Sequence, residues 1–290
     1  MKNGYLIVAY GDNPATPGRF LVDGLRAIGQ PIKVCHDLVD FSKINRSGCK
    51  GLVVIDCPSR PPVRMVHSKL AANLPKFYWT YHGDHVLRRN IELVRYYRAD
   101  RVLMSSCLRL AGNFPAPVSF FPLAVPDRFF QGGPQLTQRQ IAIGFVGNTK
   151  GDMYASRRAT LESIRTVAPQ TNLFIGRGVY LGELAALYAN TRIVYNDSIN
   201  QTITLRIFEG LGARALVVSD APPGQDTLLT PDRHFVHYVN ENDKLEKIRH
   251  YLNAPEEAQA IADRGFHWVM KHHTFTVRAA QLVQLIDGYR

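Results

Sequence analysis

The sequence is poor in cysteine, and its four cysteines, Cys35, Cys49, Cys57 and Cys107, form no Cys-x-x-Cys pair. Zinc sites and dithiol redox centres use that spacing, so neither is expected, and a reducing cytoplasm is the expected location. No apolar run approaches the ~20 residues that a membrane-spanning helix requires. The opening run, Tyr5 to Tyr10, is too short for a secretion signal, and no small-residue cleavage pattern follows it. No low-complexity tract argues for disorder. A Gly-x-Gly-x-x-Gly turn is missing after the first apolar run, where Gly11-Asp12-Asn13-Pro14-Ala15-Thr16 stands instead. That argues against a dinucleotide oxidoreductase.

What is present is ample apolar material: 46% hydrophobic and 20% charged residues over 290 positions, enough for two cores. The net charge of +11 is unevenly spread. Residues 1–130 carry 18 Lys and Arg against 9 Asp and Glu, whereas residues 131–290 carry 17 against 15. A one-sided basic excess suits an anionic partner, such as nucleic acid, a lipid head group or a phosphorylated acceptor. A solubility charge without a partner accounts for it equally well.

Short apolar runs alternate with amphipathic stretches along the whole chain. Strands are expected at 5–10, 31–35, 51–56, 76–80, 101–105 and 118–121, with helices at 19–28, 63–72 and 85–97. Residues 131–140 are polar with Gly132, Gly133 and Pro134 at their centre, and read as a linker. Alternation then restarts. Strands are expected at 141–146, 172–175, 191–195 and 215–219, and helices at 156–167, 181–189, 202–212, 243–252, 256–271 and 276–288. Two α/β units in series follow, each with parallel strands and crossover helices. In such sheets ligands bind at the carboxyl ends of the strands, beside helix N-termini, which makes the strand-to-helix loops the place to look for chemistry.

Three segments stand out. In Arg206-Ile207-Phe208-Glu209, ahead of an apolar strand and the loop Pro222-Pro223-Gly224, a helix carries a carboxylate able to accept hydrogen bonds from both ribose hydroxyls of a nucleotide. The Pro-Gly loop can bring backbone amides to a diphosphate. Taken alone, Glu209 reads more simply as a surface glutamate on a packing helix. The second segment is Phe145-Val146-Gly147-Asn148 with Arg157-Arg158 in the next helix. The glycine lets backbone approach a phosphate, and an arginine can pair with it bidentately; a capping loop with exposed arginines fits as well. The third is Trp79-Thr80-Tyr81-His82-Gly83-Asp84, where His82 or Asp84 can take a proton from an acceptor hydroxyl. A structural histidine and a helix-capping aspartate are the plainer reading. Arg60, Arg64, Arg88 and Arg89 suit an anionic acceptor or simply a solvated face.

From Asn196 onward the sequence resembles group-1 glycosyltransferases, most closely the spore-maturation-protein (CgeB-like) branch. The resemblance rests on Arg206-Ile207-Phe208-Glu209, Leu245 to Leu252, Pro255-Glu256 and His273-Thr274 before Arg278. It extends more thinly over Phe145 to Arg157, the Trp79-to-Asp84 loop, Ala99 to Val102 and Pro122 to Pro126. It implies the GT-B fold: two Rossmann-like domains, 1–134 for the acceptor and 135–275 for a nucleotide-sugar donor, facing a cleft, with helix 276–290 packing back on the N-terminal domain. It places the donor at Gly147, Asn148, Arg157, Arg206, Glu209 and Gly224, with Glu209 on the ribose and Arg206 on the diphosphate. Acceptor contacts fall to Arg60, Arg64, Arg88 and Arg89, with His82 or Asp84 as the base.

One departure concerns the Glu-x7-Glu pair of many such enzymes, whose first member is Gln201 here; the turn at Gly212-Ala213-Arg214-Ala215 also differs from the family's usual small-residue–Gly step. No Asp-x-Asp occurs, so no metal and no cofactor are expected beyond a UDP-linked sugar as donor substrate, and helix dipoles and arginines would neutralise the leaving diphosphate. Because acceptors of this fold bind the N-terminal half, the charge asymmetry points to a polyanionic acceptor, with DNA carrying a hydroxymethylated base as one candidate. The alternative is a non-catalytic nucleic-acid- or nucleotide-binding protein with a degenerate glycosyltransferase fold.

Overall fold

The computed structural model describes residues 4–13, 15–55, 60–167 and 172–289. Cys57, Asp56 at the end of an expected strand, and the side chain of Asp84 lie outside that description. The chain divides into two compact units. One comprises Met1–Leu123 with Phe275–Arg290, and the other Ala124–Thr274.

Among its described residues the first unit contains β1 (Tyr5–Tyr10), α1 (Pro17–Ala27), β2 (Ile32–His36), β3 (Leu38–Asp40), β4 (Cys49–Ile55), β5 (Arg64–Val66), β6 (Lys76–Thr80), α2 (Leu87–Tyr97), β7 (Arg101–Met104) and β8 (Val118–Phe120). Six strands form a sheet in the order β2-β1-β4-β6-β7-β8, with every pairing parallel. β1 and β4 read Leu-Ile-Val-Ala-Tyr and Leu-Val-Val-Ile and are buried on both faces, as central strands of a covered parallel sheet must be. At the start of α1, Thr16 accepts a hydrogen bond from the Arg19 amide and Pro17 supplies a preset φ. Trp79 is fully buried on β6, its indole N–H bonded to Ser105 Oγ at 2.8 Å and to the Phe121 carbonyl at 3.1 Å.

The helix expected at 63–72 is not formed. β5 pairs in parallel with β3, and a short 3-10 turn, Ser68–Ala71, follows. Helical spacing was real in the sequence, but His67 adopts a left-handed conformation (φ 56°) that a helix cannot contain. Its ring lies 2.9 Å from Asp40 Oδ1. Hydrogen bonds from Ser42, then from His67, hold the Asp40 carboxyl at about 2. Tertiary pairing outweighs local propensity in this segment.

The described residues of the second unit contain β9 (Ile141–Val146), α3 (Ala155–Val167), β10 (Leu173–Gly176), α4 (Leu181–Ala189), β11 (Thr191–Asn196), α5 (Leu205–Gly212), β12 (Leu216–Ser219), β13 (Val236–His237), α6 (Glu241–Asn253) and α7 (Pro255–His272). The sheet order is β10-β9-β11-β12-β13, again wholly parallel. The Gly-Pro segment 131–140, read above as a linker, lies inside this unit. Its Arg139 is buried and donates to the carbonyls of Pro134, Tyr188, Thr191, Ala213 and Arg214 at 2.8–3.2 Å. Two of these follow the end of α5 and one closes α4, so a single guanidinium satisfies carbonyls that helix termini leave open. Burial, with a contribution from Arg214, lowers Arg139 to about 10, still charged at neutral pH.

The last helix, α8 (Phe275–Asp287), belongs to the first unit and packs on α1. A Cβ at Gly24 would stand 2.3 Å from the Phe275 carbonyl oxygen, so only glycine allows this approach. Phe20 and Phe275 meet at 5.4 Å between ring centroids. Arg278 is buried, with Nε donating to the Pro122 carbonyl at 2.9 Å. Among the described residues no helix is long and apolar enough to cross a membrane.

Candidate active site at the carboxyl edge of the second sheet

The carboxyl ends of β9, β11 and β12 bring together most of the residues singled out for the donor. β9 ends at Val146, and Arg206, in the first turn of α5, reaches back to it. Its Nε donates to the Val146 carbonyl and its Nη1 to Asn196 Oδ1, both at 2.9 Å. Its guanidinium lies 4.2 Å from the centre of the Phe145 ring. A Cβ on Gly147 would stand 2.3 Å from Arg206 Nη2. Gly147 is thus small to admit a side chain from α5.

Arg157, on α3, is buried beside the same ring, 5.3 Å from its centre. Its Nε donates to both carboxylate oxygens of Asp197, at 2.9 and 3.0 Å, and its Nη1 to the Asn148 carbonyl at 2.9 Å. Asp197 also lies 3.7 Å from Arg206 Nη1. Arg158 donates from Nη1 to the Thr149 and Gly151 carbonyls, at 2.8 and 2.7 Å. The two adjacent arginines therefore brace the loop after β9. Asn148 itself stabilises that loop by accepting from the Lys150 amide at 3.1 Å.

Glu209 lies three residues beyond Arg206, on the same side of α5. It is half-buried. Loss of hydration raises its carboxyl from 4.5 to about 7, against the opposing pull of Arg206. Gly224 takes a left-handed φ of 89° at the head of the turn Gln225–Thr227; nothing stands within 4 Å of a Cβ there, so backbone conformation rather than space calls for glycine. Buried Gln225 donates to the Asp220 carbonyl at 3.2 Å. The Asp220 carboxylate accepts from the Ser198 amide at 2.9 Å and from the Ser198 hydroxyl, joining the loops after β11 and β12. Gln201 is exposed, with a left-handed φ of 54°.

The acceptor candidates lie in the first unit. His82 follows β6 and is half-buried, its ring 4.5 Å from that of Tyr81. Burial lowers its imidazole below the ordinary 6.5, leaving it neutral at pH 7. Arg88 and Arg89, in the first turn of α2, both approach Glu92, at 3.6 and 3.2 Å. Arg60 is exposed, and Arg64 is exposed on β5. The four arginines thus sit on two separate parts of the unit.

Sequence reasoning gave no site role to Asp197, and quoted Asn196 and Phe145 only as ends of segments. A usable signal was there: Asn196 and Asp197 are polar residues ending an otherwise buried apolar strand, the position at which α/β sheets carry ligands.

Two all-parallel Rossmann-like units, the second with arginines, a carboxylate and glycine loops at its carboxyl edge, match the fold of the GT-B class of sugar-transferring enzymes. The family model described as glycosyl transferase-like matches residues 136–284, just over half of the chain, and the chain belongs to that family. It is a glycosyltransferase, and the reading as a non-catalytic binding protein with a degenerate glycosyltransferase fold is not favoured. Among curated proteins none matches it. Solved structures of the same fold include an alpha-glucosyltransferase in complex with UDP-glucose and DNA containing an abasic site, with 12% identity, 98% of this chain and 99% of that one covered, and a TM-score of 0.68. An alpha-glucosyltransferase with UDP and a 13-mer DNA containing an HMU base shows 14% identity, 98% and 100% coverage and a TM-score of 0.64. A sucrose-phosphate synthase from Thermosynechococcus elongatus shows 12% identity, 98% coverage of both chains and a TM-score of 0.63.

Proposed function

We propose that this glycosyltransferase moves a sugar from a UDP-linked donor to a hydroxyl on a polyanionic acceptor, and that the acceptor is DNA carrying a hydroxymethylated base. The observation that carries the donor half is the pair of guanidinium groups packed over Phe145 beside Glu209, at the carboxyl edge where α/β sheets take nucleotides. Ionised Glu209 accepts hydrogen bonds from the ribose hydroxyls. Arg206, the amides of the loop after β9 and the Gly224 turn face the diphosphate and stabilise the charge that develops as the sugar leaves. These groups supply positive charge without a metal, which is the reading we adopt for a sequence lacking Asp-x-Asp. His82, neutral at pH 7, takes the acceptor's hydroxyl proton, with Asp84 as the other candidate base.

The acceptor half rests on charge. The first unit carries 19 Lys and Arg against 9 Asp and Glu, and the second 16 against 15. On α2, exposed Arg88 and Arg95 line a groove with Leu87, Ile91 and Glu92, and Arg98, just past the end of the helix, is exposed too. Together with Arg89, and with Arg60 and Arg64 on a separate part of the unit, these arginines are the groups we assign to contacts with a phosphate backbone. The comparison structures that hold DNA support the same reading. Within the family we place the chain beside the CgeB-like branch, on the strength of the segment Arg206 to Glu209, and we place the protein in a reducing cytoplasm.

The test is transfer of labelled sugar from UDP-sugars to duplexes with and without hydroxymethylated bases. Label should enter only the hydroxymethylated duplex, and the rate at limiting DNA should fall at least tenfold, on the order expected for several phosphate contacts, between ~50 and ~200 mM salt. A rate unchanged by salt would remove DNA as the acceptor.

A further inference from the structure

We infer that Asp197 is a positioning residue for the donor site, tying Arg157 and Arg206 into one array over Phe145; this rests on the donor reading given above. Arg157 and Arg206 come from different helices, α3 and α5, and carry like charges against one aromatic ring. Arg206 has two neutral partners, the Val146 carbonyl and Asn196 Oδ1. Arg157 depends on Asp197 much more. Its Nε meets both carboxylate oxygens, and its Nη2 reaches the Asp197 carbonyl at 3.3 Å. Its Nη1 also donates to the Asn148 carbonyl, which Arg157 holds in place, and its guanidinium lies over the Tyr154 ring as well as that of Phe145.

Asp197 is therefore the fixed point from which Arg157 shapes the loop after β9, and the same carboxylate offsets the repulsion between the two guanidinium groups. Arg157 is a brace in this arrangement, with its donors turned toward the protein. The carboxylate has two opposing effects on a bound diphosphate. As a nearby negative charge it repels the ligand, and as an anchor it orients the groups that bind it. The inference is that anchoring dominates.

Calorimetric titration of the full chain with UDP separates the two. Asp197→Asn makes the site more positive by one charge while keeping the shape, so a mere electrostatic neighbour predicts tighter UDP binding. Anchoring predicts weaker binding, by about tenfold. Arg157→Gln should weaken binding to a similar extent. The double variant Asp197→Asn with Arg157→Gln should be no weaker than either single one, because both act through the same loop. Tighter or unchanged binding in Asp197→Asn, or additive losses in the double variant, overturns the inference. Should Asp197→Asn fail to fold, Arg157→Lys serves, since it keeps the charge but not the fork, and undiminished UDP affinity there has the same effect. Wild-type chain that binds no UDP overturns the donor reading and this inference with it, whereas wild-type binding that survives Asp197→Asn overturns this inference alone.

Discussion

Glu209 and Gly147 show how single positions serve the site at a cost to the fold. Burial gives the folded chain a carboxyl that titrates at about 7, against 4.5 ordinarily, so between those values the folded state holds a proton that the unfolded state has released. Glu209 therefore costs no stability below pH ~4.5 and a growing amount as the pH rises to 7, reaching ~1–3 kcal/mol. Glu209→Gln should melt higher than wild type at pH 8 and level with it near pH 4.5, while losing the stabilisation that UDP gives; melting curves at the two pH values check this. Gly147→Ala forces a methyl group onto Arg206 Nη2, and it should cost ~1–3 kcal/mol of stability and weaken UDP binding in the same protein. Neither effect was legible beforehand. Arg206, Glu209, Gly147 and Arg157 stand out in the sequence through the segments Arg206 to Glu209 and Phe145 to Arg157 and through their resemblance to group-1 glycosyltransferases. That the glycine makes room for an arginine 59 residues away, and that Asp197 holds Arg157, are facts of tertiary contact that no local pattern encodes.

At the scale of elements the sequence is more informative. β6, β9 and α4 lie where apolar periodicity puts them, because long buried strands and a helix of leucines and alanines face little competition from other structures. The exceptions have separate physical causes. β5 forms because a left-handed His67 and pairing with β3 override helical spacing. The three residues before α5 stay out of the helix, where Thr204 and Arg206 both bond to Asn196 Oδ1 across the site. The Gly-Pro stretch around Pro134 has a linker's composition, yet Arg139 anchors it within the second unit. Arg139→Ala would leave the carbonyls at the ends of α4 and α5 buried without their donor. A loss of ~3 kcal/mol or more in denaturant unfolding is expected, with the transition of the second unit moved most. Arg139→Lys should recover only part of it, since a single ammonium cannot span the same set of carbonyls.

For the molecule as a whole, charge and chemistry are divided between the two units: one is strongly basic, and the other is nearly neutral and carries the arginine–carboxylate array. The central claim is that this array holds a nucleotide sugar. Thermal unfolding against a panel of nucleotide sugars tests it directly, with Glu209→Ala measured alongside. At ~100 times its Kd, one UDP-sugar should raise the wild-type melting temperature by about 5 °C or more and leave Glu209→Ala unshifted. A panel in which no nucleotide sugar shifts the wild type, or a shift that Glu209→Ala retains in full, would contradict the account.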